Sequence, residues 1–551
     1  MRTGALAEHA ELTLSLRSLR IVVWLLLLVA SVGALVWAHV AIAVLSVCLN
    51  ETPRLADSLQ SAIPTSAATA RGLLALVEQG VGEAGACDTA APARAMAIGG
   101  IAYLVGVVAL RSAGLSSPTQ LFVIGAAAFV SHAALLFMPA LLSSDILDYA
   151  AYGRVVAIHS ANPYVSPPAN FPNDPFAGYG AWQGVVTVYG PLWTRVSAVI
   201  AALLPAGDPA QLAFAFKLVA LAANAVNIGL IWWLARRWRS VGVTNTSAAE
   251  AVALYAWNPL VNVEVLGNAH NEAVMMTLVL LGFVLLTRAI TPYREARQGT
   301  LWQAWLWLSA VGCMWLGALV KFVPAAAAAI VSFVWLARAQ TTTLRLKRML
   351  LVVSMLFALA IVVTWPWLDS PAVASPLLGV ASGGQRIKDA WQDAAAEYLV
   401  VRLLPRLDVP DDLREDVART MVWGVTRAIF AIYAAFEVWW LAKRAVGDPA
   451  TALRAIAIAS VRVLLMSVLL FVSQVYAWYF LWPLPIACVL GLREPWSRGA
   501  IVFGLTFLPA FYLREFESYG VFYLPIYALV ALSILTLAWF YELIPNRATR
   551  A

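Results

Sequence analysis

The chain has 551 residues, 62% of them hydrophobic and only 12% charged, roughly half the charged share of a soluble domain, so a soluble globular fold is excluded. Repeated apolar runs of about 20 residues, broken by short basic loops, have the length that crosses a bilayer as a helix. Open strands cannot satisfy their edges in lipid, and barrel strands are shorter and alternate. The net charge of +7 is not a nucleic-acid signature either: Lys and Arg are scattered singly among loops, as membrane topology requires.

In chain order, the first apolar run, Ile21 to Leu49, follows Arg17 and Arg20. It is too long for a signal-peptide core and lacks a good cleavage site, so it reads as an uncleaved first helix. Leu45-Ser46-Val47-Cys48 has a faint likeness to a lipoprotein acylation site, but a helix end is the better account. Further apolar runs at 96–111, 119–142, 210–235, 249–264, 272–290, 303–319, 322–337, 349–368, 421–442, 455–473, 477–492, 499–513 and 520–541 complete the pattern. The expectation is an all-α polytopic membrane protein with about 14 transmembrane helices. Pro191 to Pro205 is apolar but short, and is expected to lie along the outer interface.

Charge sets the orientation. With both termini cytoplasmic and 191–205 not spanning, most Lys and Arg fall in short cytoplasmic connectors, among them Arg111, Arg236-Arg237-Trp238-Arg239 and 338–348. If 191–205 crossed, the Arg236–Arg239 cluster would be stranded outside, against the positive-inside rule. The outer face then carries three long segments, 50–95, 143–209 and 369–420. Cys48 and Cys87 flank the first of these, on the side where a disulfide can form, whereas Cys313 and Cys488 fall within helices. The third contains Ser382-Gly383-Gly384-Gln385-Arg386 ahead of a charged, helical stretch, Asp389 to Arg419. It is either a solvated spacer or a turn able to meet a phosphate.

The 143–209 segment is richer than a connector needs. It starts Ser143-Ser144-Asp145-Ile146-Leu147-Asp148-Tyr149 and continues through Tyr152-Gly153-Arg154, Asn162-Pro163-Tyr164 and Tyr189-Gly190-Pro191-Leu192-Trp193. Asp145 and Asp148, three apart, share one face of a short helix. Flat rings pack on the C–H faces of a pyranose, while amides and carboxylates take its hydroxyls. For any single Tyr or Trp here, an interfacial aromatic belt or a loop turn is the better account.

Five stretches in order carry a resemblance: Ser144-Asp145 through Tyr149, Gly153 and Asn162-Pro163-Tyr164; Tyr189-Gly190-Pro191-Leu192; Trp257-Asn258-Pro259-Leu260 with Gly267-Asn268-Ala269-His270-Asn271-Glu272; Lys321-Phe322-Val323-Pro324; and Trp478-Tyr479-Phe480-Leu481-Trp482-Pro483. They resemble the glycosyltransferase-C superfold, and more narrowly the polyprenol-phosphate-mannose-dependent α-1,6-mannosyltransferases. The resemblance implies an N-terminal two-helix segment (1–118), a core with the catalytic loop 143–209 (119–368), a long outer loop (369–420) and C-terminal helices (421–551). It implies inverting transfer of a hexose, most readily mannose, from a polyprenyl-phosphate sugar to a glycan or glycolipid acceptor, at the extracytoplasmic face of the cell membrane. Asp145 matches the family's catalytic base. Asp148 would orient the acceptor, act on Asp145 as a like charge, or cap the helix. Tyr149, Tyr152, Arg154, Asn162, Tyr164, Tyr189, Asn268, His270, Asn271, Glu272, Tyr476, Trp478 and Tyr479 are the expected substrate contacts. Tyr476-Ala477 stands where relatives carry His-Pro, a departure that bears on substrate identity.

A polyprenyl phosphate is a stable anion, so its departure needs cations rather than an acid. Lys321 is the first candidate and Arg386 the second, with Lys217 and Arg427 behind them as charges within membrane helices. Snorkelling to the interface is the competing account of Lys321. No cofactor is expected. A divalent metal on Asp145, Asp148 or Glu272 with His270 is conceivable, but no tight ligand spacing supports one. The rival class is a transporter or flippase of lipid-linked sugars, which would hold its polar residues near mid-membrane on broken helices. Here the polar clusters fall at outer helix ends, and no convincing internal repeat is present. An inactive scaffold of the same fold is the third reading.

Overall fold

The computed structural model describes residues 2–46, 91–138, 141–176, 178–291, 300–374, 391–445, 447–472 and 474–516. Cys48, Cys87, Arg386 with its Gly-Gly turn, and the 520–541 run lie outside the described residues. Within them all regular structure is helical and no strand occurs. Eight helices among these residues are long and apolar enough to cross a membrane.

Helix starts follow local chemistry. Helices α1 (Arg2–Leu45) and α2 (Ala91–Ser112) pack against each other. α3 (Ser117–Leu136) opens on Ser116, whose hydroxyl accepts from the Thr119 N–H, satisfying one of the amides a helix start leaves free. The short α4 (Asp145–Ala157) packs on α5 (Pro191–Leu203), the segment expected at the interface. At 13 residues, α5 is about 20 Å long, less than the ~30 Å hydrocarbon core. Asp208 caps α6 (Pro209–Ser240) through the Gln211 N–H at 2.8 Å.

The run expected as one helix over 249–264 is broken instead. α7 (Ala248–Ala256) ends before Asn258-Pro259, and Asn262–Gly267 winds as a π-helix. Proline lacks the N–H and disfavours helical geometry in the residue before it; the Asn258 side chain accepts from the Leu260 N–H at 3.0 Å and restarts the chain. Beyond it run α8 (Glu272–Ile290), α9 (Thr300–Ala318), α10 (Ala325–Ala337) and α11 (Thr342–Thr364). The charged stretch before residue 420 is only partly a separate element. Trp391–Tyr398 is a short helix, but α12 starts at Asp411 and continues unbroken to Arg444, because no Pro or Gly interrupts it until Gly424, which a helix tolerates. α13 (Pro449–Met466) follows. The run at 477–492 is split by Pro483 into a 3-10 turn, Ala477–Leu481, and α14 (Leu484–Leu490); α15 (Pro495–Phe516) ends the described chain.

Helices in lipid gain little from the hydrophobic effect, so packing and internal hydrogen bonds hold them together. The Trp257 indole donates to Ile124 O at 3.1 Å and the Tyr103 phenol to Leu254 O at 2.8 Å, tying α7 to α3 and α2. α3, at 20 residues, spans about 30 Å from the connector at Ser117 to the segment leading into Asp145. The bundle therefore has two distinct polar ends.

Candidate active site

Asp145 and Asp148 occupy the first turn of α4, where negative charge complements the helix dipole. Their surroundings differ. Asp148 is 1% exposed and turned into its own loop, its carboxyl accepting from the N–H groups of Trp182 at 3.0 Å and Ala181 at 3.3 Å. Burial, with the charge of Asp145 adding to it, outweighs those hydrogen bonds and pushes Asp148 up to about 8, so it is neutral at pH 7. Asp145 keeps 14% of its side chain accessible.

The break between α7 and α8 delivers the imidazole that faces Asp145. After the π-turn, Ala269 sits at φ +52°, left-handed geometry that a residue with a Cβ adopts only under constraint. The constraint is visible: the His270 N–H donates to Glu264 O at 3.0 Å and the Asn268 N–H to Val263 O. His270 is fully buried, its Nδ1 3.6 Å from Asp145 Oδ2 and its Nε2 3.3 Å from Glu264 Oε2; these are ion-pair distances without hydrogen-bond alignment. Burial alone would lower its pKa, but the two carboxylates prevail and raise it to about 9, making it an imidazolium at neutral pH. Glu264 is fixed in turn, accepting from the Tyr512 hydroxyl at 2.9 Å and from Asn268 Nδ2 at 3.0 Å. Asn268 also receives the Leu142 N–H at 3.0 Å, so its amide braces the segment before Asp145.

A second charge pair adjoins the first. Lys321 Nζ lies 2.6 Å from Glu272 Oε1, and the ammonium is 4.6 Å from the Tyr479 ring and 5.9 Å from the Trp482 ring. Lys321 is held in place by the Tyr189-Gly190-Pro191-Leu192 motif: Gly190 N donates to Val320 O at 3.0 Å and Leu192 N to Leu319 O at 2.9 Å. A Cβ at Gly190 would run into Leu319 O, so only glycine allows this approach. Trp478 stacks on His270 with ring centroids 4.0 Å apart, and Tyr476 stacks on Trp478 at 4.5 Å. The Tyr149 ring meets Tyr189 and Trp193 edge-on. Burial and the charges of Asp145 and Glu272 hold its phenol well above the usual range, which places both carboxylates around it.

The structure thus gathers Asp145, Tyr149, His270, Asn271, Glu272, Lys321, Tyr476, Trp478 and Tyr479, with Asn268 behind them. Other expected contacts serve the loop itself. The Tyr152 hydroxyl donates to Val185 O at 2.9 Å. Arg154, 4% exposed, binds Asp174 at 2.9 and 3.1 Å and Pro205 O at 3.0 Å, while His159 reaches the same Asp174 at 2.7 Å. Asn162 donates to Asp369 and caps Tyr164 N; the Tyr164 hydroxyl donates to Tyr189 O at 3.1 Å. Lys217 is buried against the carbonyls of Leu135 and Leu136 at the end of α3, and Arg427 lies over Trp423. Sequence reasoning missed Glu264 and Tyr512 as partners. The signal for Glu264 was there: a carboxylate inside an apolar stretch is costly in a membrane.

Several buried polar atoms around Asp145 have no hydrogen-bond partner among the described residues: both ends of the Asn271 amide, Glu272 Oε2 and the Tyr149 hydroxyl. Such atoms are costly unless something satisfies them. Among the described residues no three His, Cys, Asp or Glu side chains are arranged to hold a metal ion.

Eight helices long and apolar enough to cross a membrane, with stacked rings and orphaned hydrogen-bonding groups gathered at one end of the bundle, mark a membrane protein with a candidate polar site. Residues 61–340 match the sequence model of the alpha-(1->6)-mannopyranosyltransferase N-terminal domain. This is more than half of the chain, which belongs to that family and is a membrane mannosyltransferase, a hexosyltransferase acting between a sugar donor and a glycan acceptor. No curated protein and no solved structure matches the chain.

Proposed function

We propose that the enzyme transfers mannose from a polyprenyl-phosphate donor to a glycan or glycolipid acceptor, at the extracytoplasmic face of the plasma membrane, with inversion. The observation that carries this reading is Asp145 itself, a partly accessible carboxylate ringed by unsatisfied amide, carboxylate and phenol groups of the kind that take sugar hydroxyls. The acceptor hydroxyl gives its proton to the Asp145 carboxylate as its oxygen attacks the anomeric carbon. The bond from that carbon to the phosphate oxygen breaks, and the electron pair leaves with the polyprenyl phosphate. A single displacement inverts the anomeric centre. The leaving anion needs no protonation, and His270 and Lys321 are the cations available to it; because both are already matched to carboxylates, the phosphate would share them. No metal is used in this scheme. The outward orientation rests on the positive-inside distribution of Lys and Arg.

Reconstituted protein supplied with radiolabelled polyprenyl-phospho-mannose and an oligomannoside should form a longer, labelled glycan. Asp145→Asn should cut the transfer rate by about 10²–10⁴-fold, the usual contribution of a positioned base. Transfer at the wild-type rate by that variant would sink the role given to Asp145.

A further inference from the structure

We infer that the cavity at the end of the bundle opposite Asp145 is a second ligand site, built to bind a phosphate group. The cavity measures about 530 Å³ and is lined by residues of three helix junctions: Arg111 in the last turn of α2 with Ser117 opening α3, Arg239 in the last turn of α6 with Asn245 beyond it, and Arg493 between α14 and α15. That volume falls within the rough 300–1,000 Å³ of small-molecule sites. Its charge is lopsided. Among the described residues Glu250 is the only carboxylate in the lining, and it is matched to Arg111 at 3.3 Å. Arg239 and Arg493 have no ion-pair partner among the described residues.

Two of these arginines have an ordinary reason to be where they are: Arg111 and Arg239 sit in the last turns of α2 and α6, where a cation complements the helix dipole. That accounts for each charge singly. It does not account for their convergence on one cavity with Arg493, which belongs to no helix end of that kind. The remaining lining adds to the same preference. α3 and α7 both begin here, at Ser117 and after the Ser247 cap, so the N–H ends of two helices open on the cavity and favour an anion. The side chain of Asn245 supplies a neutral donor. Guanidinium groups match the paired oxygens of a phosphate better than any other cation. Because the cavity lies at helix ends, where a bilayer surface would fall, the phosphate can arrive on a lipid headgroup from the side or on a soluble phosphorylated molecule from the water.

The test uses the full-length protein in two arms. In one, the protein is passed through nanodiscs of phosphatidylcholine doped with phosphatidylglycerol, and retained lipid is counted by native mass spectrometry. In the other, inorganic pyrophosphate is titrated at constant ionic strength while the melting temperature is followed. Wild type should retain phosphatidylglycerol, shift its melting temperature with pyrophosphate, or do both. Retention alone assigns a headgroup; a shift alone assigns a soluble phosphate. Arg239→Gln with Arg493→Gln should weaken the bound probe by roughly tenfold or more, the effect of losing charge-assisted hydrogen bonds. Asn245→Asp, which leaves both arginines in place and adds a negative charge, should weaken it as well. The assignment fails if wild type binds neither probe, if the double variant binds as wild type does, or if Asn245→Asp has no effect.

Discussion

The two polar ends of the bundle solve the problem of charge in opposite ways. Around Asp145 the ionised groups are buried or half-buried and matched: Lys321 with Glu272, and His270 between Asp145 and Glu264. Around Arg493 the arginines are exposed, and among the described residues only one of the three has a carboxylate. Charges withdrawn from water need a partner within a few ångströms, whereas solvated ones do not. The first end is therefore rigid and sensitive to any single loss of charge, and the second is free to spend its charge on something else.

That contrast breaks most visibly at Lys321. Lys321→Met would leave Glu272, fully buried, without its cation, at a cost of about 3–5 kcal/mol. Melting in detergent should fall by many degrees, and adding Glu272→Gln should recover much of the loss, since the pair is coupled. If the single variant melts like wild type, the pair is not what holds this end together.

His270 gives the next effect. Its folded pKa of about 9 lies above the ordinary value near 6.5, so the imidazolium's contribution is fully present below about pH 6.5 and is lost as pH rises through 9. The shift corresponds to a contribution on the order of 3 kcal/mol. The wild-type melting temperature should decline between pH 6.5 and 9.5, and His270→Gln should be lower at pH 6.5 with a flatter profile. Parallel profiles would contradict the charge assigned to this ring.

How these ends could be read from the chain varied with distance along it. Apolar runs, and the placement of Asp145, His270 and Lys321 at their margins, follow from patterns of a few residues. The reading of the short α5 draws on residues farther off, because a crossing there would put the Arg236–Arg239 cluster outside. What brings His270 to Asp145 is the π-turn and the strained Ala269, and nothing in the residue types Asn262 to Gly267 announces that winding. The Tyr512 hydroxyl on Glu264 joins positions 248 residues apart, beyond any local signal. Arg154 shows the reverse error. Its partner Asp174 is only 20 residues on, in the same segment, so a loop-bracing ion pair was available as a local reading of that arginine.

The smallest effect separates the two aspartates that look alike in sequence. At pH 7 Asp148 is neutral, so Asp148→Asn exchanges one uncharged group for another. Asn retains one carbonyl oxygen for the Trp182 or Ala181 N–H and turns an N–H₂ toward the other, a loss of about 1 kcal/mol. Transfer should stay within a few-fold of wild type, against the much larger loss expected from Asp145→Asn. The pH dependence follows from the sign of the shift. Between about 3.8 and 8 the folded chain keeps a proton that the unfolded chain has released, so wild-type stability declines as pH rises through that window. The variant lacks this decline and should match or exceed wild type above pH 8, where a buried charge replaces the neutral acid. A variant that lost transfer as completely as Asp145→Asn while melting normally would instead make Asp148 part of the reacting site.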